Sequence, residues 1–285
     1  MKTTQKIVLL LSLMCSIMLP QSSALTPENT VIACDIDKVV LRLPRSQWPK
    51  IALKSAQLVH NGQDAIDLPK TLYHIYQDFY TEVNGINQCY GNVNGLIPQM
   101  LTIGMRHNEA TRFIAPFLEI VEASRRLDKE VIKVLQDTKL PIVWTTNKDS
   151  LTYQGAVKVH GLNALATKAI VTKQPLSAEV IAFAQRADTP ESYRALVEQY
   201  ENDQETNTIF HAPGKKPNAE YYQYVEKIVG PEKNIIFIDN KKKNVYGYIK
   251  ALLSSDTAQR IGIHYQGKPA QLKSELAKLN IQQKK

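Results

Sequence analysis

Four short runs of apolar, mostly β-branched residues recur along the chain: Thr30–Cys34, Ile142–Thr145, Ile235–Ile238 and Ile261–Tyr265. Runs this short suit buried parallel strands better than helices, and three of them stop at a polar or acidic residue, Asp35, Thr146 and Asp239. Helical patterns lie between them. Asp128 is placed to cap a helix whose Val131, Ile132 and Leu135 share a face before Pro141 ends it. Tyr221, Tyr222, Val225 and Ile228 follow Pro217, the expected first helical residue, at helical offsets. Val245, Tyr248, Ile249 and Leu252 form another apolar face, as do Leu272, Leu276 and Leu279. Strand alternating with helix predicts an α/β fold, a doubly wound parallel sheet with helices on both faces.

That rhythm breaks between the first two strands. About 85 residues is far longer than an ordinary connection, so 41–126 reads as an inserted, mainly helical cap. Leu72, Ile75, Tyr76 and Phe79 stand at helical offsets within it, and Tyr73, Tyr76, Phe79 and Tyr80 read as cap core. Residues 25–40 and 127–285 then form the α/β core. A second insertion, Gln174–Thr208, carries two helical patterns of its own.

The first 24 residues read as an address. Lys2 and Lys6 precede a 13-residue apolar run, Ile7–Leu19, then Pro20 and the small residues Ser22, Ser23 and Ala24. This is the pattern of a cleavable signal peptide, and the run is short of the roughly 20 residues a spanning helix needs. The expected product is exported, periplasmic or secreted, without stable membrane insertion. Removing the two lysines takes the formal charge from +8 to +6, which tolerates small anions but forms no basic stripe for nucleic acid. Loss of Cys15 leaves Cys34 and Cys89; one disulfide is open to them, but Cys34 reads as a small hydrophobe buried in its strand.

Chemistry-bearing residues gather at the strand ends, where open α/β sheets place ligands. Asp35-Ile36-Asp37-Lys38-Val39 offers two carboxylates that a period of two would aim the same way. With 12 aspartates in the chain, an Asp-x-Asp alone is expected about half a time by chance, so placement must carry it. Thr145-Thr146-Asn147 offers hydroxyl and amide groups, Lys216-Pro217 an ammonium before a helix, and Asp239-Asn240 an acid and an amide before Lys241–Lys243 and Asn244. The lysine run reads as solvated surface, and the six histidines show no metal-ligand spacing; His211 alone stands close enough to Lys216 in sequence to face the same pocket.

In this order and at these strand ends, the four motifs resemble those of the haloacid dehalogenase superfamily, including signal-peptide-bearing bacterial members. The resemblance spans Thr30 to about Val245, though only some 25 residues carry it. It implies a Mg²⁺-dependent phosphatase acting on a small phosphorylated substrate. Asp35 would be the nucleophile and Asp37 the general acid and base. Thr146, Asn147 and Lys216 would bind the phosphoryl group. Asp35, the Asp37 carbonyl, Asp239 and Asn240 would surround the metal. Asn240 departs from the family's usual acid and contributes no charge. For Asp37 to serve as a proton donor near pH 6, its pKa must rise about two units above 3.9. Two alternatives stand beside the phosphatase: a secreted, haloacid-dehalogenase-like binding or effector protein with weak or no catalysis, and a phosphotransferase with an acceptor other than water.

Overall fold

A computed structural model describes residues 24–47, 49–51, 53–54, 120–173, 176, 178–187, 189, 191–251 and 258–282. The leader, Cys89, the helical patterns and aromatics of the cap, and Leu252 lie outside the described residues.

Six strands form one parallel sheet: β1 (Thr30–Asp35), β4 (Ile142–Thr145), β5 (Lys168–Thr172), β6 (Ile209–Ala212), β7 (Asn234–Asp239) and β8 (Arg260–His264). Their spatial order is β6-β5-β4-β1-β7-β8. From β1 the chain steps outward through β4, β5 and β6, then returns to lay β7 on the other flank of β1. The winding direction therefore reverses between β1 and β7, and a crevice opens at the carboxyl ends of those two strands. Register sets Asp35 beside Thr145, and Cys34 beside Ile238.

The central strands are buried throughout, so alternate residues supply two cores. Ile32, Cys34, Trp144, Ile236 and Ile238 face α1 (Lys129–Asp137) and α7 (Pro269–Lys278), meeting Val131, Leu135, Leu272 and Leu276. Val31, Ala33, Val143 and Phe237 pack against Tyr221, Tyr222, Val225, Val245 and Tyr248 of α5 (Ala219–Val229) and α6 (Lys242–Lys250). Asp35 and Asp239 continue the second alternation and so emerge on the α5 and α6 side of the sheet. Each large side chain buried in these layers contributes about 1.5–3 kcal/mol. Trp144, fully buried, also satisfies its indole N–H on the Leu162 carbonyl at 2.9 Å.

Asp128 caps α1 as expected, its carboxylate accepting from the Val131 N–H at 3.1 Å. Cys34 is buried with a free thiol, and burial pushes its pKa up, assisted by Asp35. Several sequence expectations need correction. α5 starts at Ala219 with Asn218 as its N-cap, which leaves Pro217 ahead of the helix rather than at its first position. Ile249 is exposed, because α6 turns Asn244, Val245 and Tyr248 inward. β5 and β6 were not expected: Lys168 opens the one, and half-exposed edge residues around His211 blur the alternation of the other. The two helical patterns of the second insertion are α3 (Ala178–Ala184) and α4 (Glu191–Glu201). α2 (Ser150–His160) follows β4.

The long insertion leaves and re-enters the core at one place. β2 (Leu41–Arg42) pairs antiparallel with β3 (Arg126–Leu127), Leu41 opposite Leu127, and the Asp128 N–H bonds the Val40 carbonyl at 2.8 Å. Among the described residues no helix is long and apolar enough to cross a membrane.

Candidate active site

Lys216 is the hub of the crevice. Its ammonium donates to Asp35 Oδ1 at 2.6 Å, to Asp239 Oδ2 at 2.8 Å and to the Thr145 carbonyl at 3.1 Å, so all three of its protons are placed. It is 4% exposed, and the two carboxylates outweigh the cost of burying its charge and raise its pKa well above the usual lysine range. Asn147 holds the lysine's main chain: Oδ1 accepts from the Lys216 N–H at 2.9 Å and Nδ2 donates to the Lys216 carbonyl at 3.3 Å. Thr146 is buried, with Oγ1 accepting from the Lys148 N–H at 3.1 Å.

Asp239 is buried and saturated. Oδ2 also accepts from Asn244 Nδ2 at 3.0 Å, and Oδ1 from the Lys241 N–H at 2.7 Å, which turns the chain into α6. Asp35 is buried too, but it lines the cavity, and Lys216 takes only its Oδ1. Burial pushes its pKa up to about 7; Lys216 opposes that shift, and Asp239 and Asp37 reinforce it.

Asp37 behaves differently from its sequence-based expectation. It lies in the turn beyond β1 and lines the same cavity as Asp35, but its carboxylate meets two cations. Arg125 hydrogen-bonds Oδ1, and the Lys148 ammonium stands 3.6 Å from the same oxygen. Burial works to raise its pKa, but Lys148 and Arg125 prevail and hold the carboxyl well below the usual range, opposite to the expected rise. Glu122 orders both cations, with Oε1 2.9 Å from Lys148 Nζ and 3.3 Å from Arg125 Nε. Glu122, Arg125 and Lys148 carry no motif in the sequence: Glu122 lies in a helix over 120–124, Arg125 in the link from it to β3, and Lys148 just beyond the Thr146-Asn147 pair. His211 turns away from this cluster, with Nε2 3.1 Å from Asp203 Oδ2.

The residues present suit a small oxygen-seeking cation. Asn240 presents its amide to the Asp37 carbonyl and Asp35 Oδ2, 3.3 Å from each. As an amino group it hydrogen-bonds both; turned over, it brings a third oxygen to the same point, a hard donor set matching Mg²⁺. Only one of these three oxygens is a carboxylate, and among the described residues no group of three or more His, Cys, Asp or Glu could hold a metal. Asp35, Asp37, Lys38, Asn147, Lys216, Asn240, Lys241 and Asn244 enclose a cavity of about 30 Å³, room for a single ion or water.

The fold and site define a doubly wound α/β protein whose acid–lysine cluster sits where the sheet reverses direction. No protein-family model matches the sequence, and no curated protein matches it. Similar solved structures include a protein assigned as a beta-phosphoglucomutase from Thermotoga maritima, 12% identical over 87% of this chain and 99% of that one, with a TM-score of 0.48. A protein assigned as a HAD-hydrolase from Bacillus subtilis, bound to magnesium, gives the same identity, coverage and TM-score. A HAD family enzyme from Bacteroides thetaiotaomicron, in complex with magnesium and inorganic phosphate, is 11% identical over 82% of this chain and 93% of that one, with a TM-score of 0.41. Such likeness concerns fold alone.

Proposed function

We propose that this chain is a Mg²⁺-dependent phosphatase that hydrolyses a small phosphomonoester through an aspartyl-phosphate on Asp35. One observation carries the reading: a buried lysine ties Asp35 to Asp239 and to the end of β4, fixing a nucleophilic carboxylate at the wall of a polar cavity. Attack of the Asp35 carboxylate on phosphorus breaks the ester P–O bond and releases the alkoxide, which takes a proton from solvent; water then adds at phosphorus and breaks the acyl phosphate bond, returning the Asp35 carboxylate, inorganic phosphate and a proton to solvent. Lys216 neutralises charge on the phosphoryl oxygens while holding Asp35 in line, and Thr146 and Asn147 position the group and the lysine. Asp37 orients the leaving group and the attacking water. Asp35 Oδ2, the Asp37 carbonyl and Asn240, with Asp239 beside them, would hold Mg²⁺, which supplies positive charge to the transferring phosphoryl group. On this reading the protein is exported, which the leader-like sequence of residues 1–24 supports, and it has no nucleic-acid partner.

A second reading, a recognition protein without turnover, draws on the neutral Asn240 and on an Asp239 whose oxygens are both taken by donors. Assay of the mature protein with 4-nitrophenyl phosphate, with and without Mg²⁺, separates the two. Turnover that needs Mg²⁺ and disappears in a folded Asp35→Asn variant supports the phosphatase. An inert protein that also fails to bind beryllofluoride overturns it.

A further inference from the structure

Lys38 has a backbone φ of 63°, in the left-handed region that costs a residue with a side chain about 1–2 kcal/mol and glycine almost nothing. The turn demands that conformation: the Lys38 N–H bonds the Leu41 carbonyl at 2.8 Å, and the Val40 and Leu41 N–H groups both reach back to the Ile36 carbonyl. A lysine therefore stands where glycine would be unstrained, and it is an exposed member of a cavity wall otherwise made of buried or half-buried side chains.

Lys241 lines the same cavity from the β7 side. Of the run Lys241–Lys243 it alone is drawn inward, as the N-cap of α6, while Lys242 and Lys243 stay exposed. Among the described residues, neither the Lys38 nor the Lys241 ammonium makes a hydrogen bond or close ion pair, whereas every proton of Lys216 is engaged. The cations that hold Asp37 are also committed, to Asp37 and Glu122. Among the described residues, two ammonium groups without a hydrogen bond or close ion pair thus border the cavity, Lys241 feeling Asp35 and Asp239 only at longer range, and the cavity is large enough only for an ion or a single small group.

We infer that Lys38 and Lys241 form a second anion subsite at the open side of the cavity, so that the substrate is a phosphomonoester carrying a further anionic group, a carboxylate or a second phosphoryl, a few bonds from the first. The inference rests on the phosphatase reading for the first subsite. With Mg²⁺ present, calorimetry compares two non-hydrolysable probes, methylphosphonate and phosphonoacetate, which differ by one carboxylate.

Wild type is expected to prefer phosphonoacetate about tenfold or more, the worth of one well-placed charge contact. Lys38→Gly, which also relieves the backbone, and Lys241→Gln should each bring that preference down several-fold. Lys243→Gln, which removes the same charge from an exposed position off the cavity, should shift it less than twofold. Equal affinity for the two probes in wild type overturns the subsite alone. So does an equal response in Lys243→Gln, which would make the effect one of overall charge. If neither probe binds, the phosphoryl site and the subsite fall together.

Discussion

The side-chain amide of Asn147 grips the main chain of Lys216 from both sides, accepting from its N–H at 2.9 Å and donating to its carbonyl at 3.3 Å. The end of β4 thereby fixes the height at which the lysine enters the crevice, independently of the carboxylates its ammonium meets. Asn147→Ala should leave the fold intact by circular dichroism yet lower kcat about 10- to 100-fold with a smaller change in KM, because small displacements of a charge-stabilising group are costly. Steady-state kinetics check this, and a KM-dominated loss would instead make Asn147 a substrate contact.

Lys216→Met strands two buried carboxylates without their cation. Breaking a buried ion pair from one side costs about 3–5 kcal/mol, so the urea midpoint should fall sharply and turnover vanish. Adding Asp239→Asn removes one of the stranded charges and should recover part of the stability but none of the activity.

Burial and Asp239 push Asp35 up to about 7, against an ordinary value of 3.8. Between those values the folded chain keeps a proton that the unfolded chain has lost, so this group's contribution to stability falls as pH rises from about 4 to 7. Asp37, held low, acts in the opposite sense: its contribution is present above its unfolded value and lost as pH falls below it. In the metal-free protein, Asp35→Asn should therefore gain stability relative to wild type from pH 4 to 7. Denaturant titrations at several pH values read this directly.

Gly247 lets α6 lie against the Lys216-Pro217 turn. A Cβ there would stand 2.8 Å from the Pro217 carbonyl oxygen and 3.0 Å from Pro217 Cβ, contacts that backbone must yield to. Gly247→Ala should cost about 1–3 kcal/mol by overpacking, despite the better helix propensity of alanine, and should lower activity as the turn moves. Thermal melts paired with kinetics test both parts.

Asn240→Asp would put a carboxylate opposite Asp35 Oδ2 and the Asp37 carbonyl, where the amide now sits. Mg²⁺ affinity, measured by calorimetry, should rise about tenfold, since carboxylates dominate binding of this cation. Unchanged affinity would place the ion elsewhere.

Much of this architecture could be read from local pattern. The runs before Asp35, Thr146 and Asp239 are buried strands because a sheet covered on both faces needs uninterrupted apolar residues, and the Asp128 cap follows from the chemistry of one side chain and the next turn of backbone. β6 was hidden because an edge strand is only half covered, so His211 and its neighbours carry no clean alternation. Arg125 gave no signal either, since nothing near it in sequence suggests that its partner is Asp37, 88 residues away.

The residue order alone determined which side chains stand at strand ends, because strand period and length are properties of a few consecutive residues. Tertiary structure decided what those side chains are. Two chemically identical aspartates two residues apart acquire opposite tendencies, Asp35 drawn toward its neutral form by burial and Asp37 held charged by Lys148 and Arg125. A carboxyl's ionisation depends on the solvent it loses and the charges it meets across space, and neither is encoded in its neighbours along the chain.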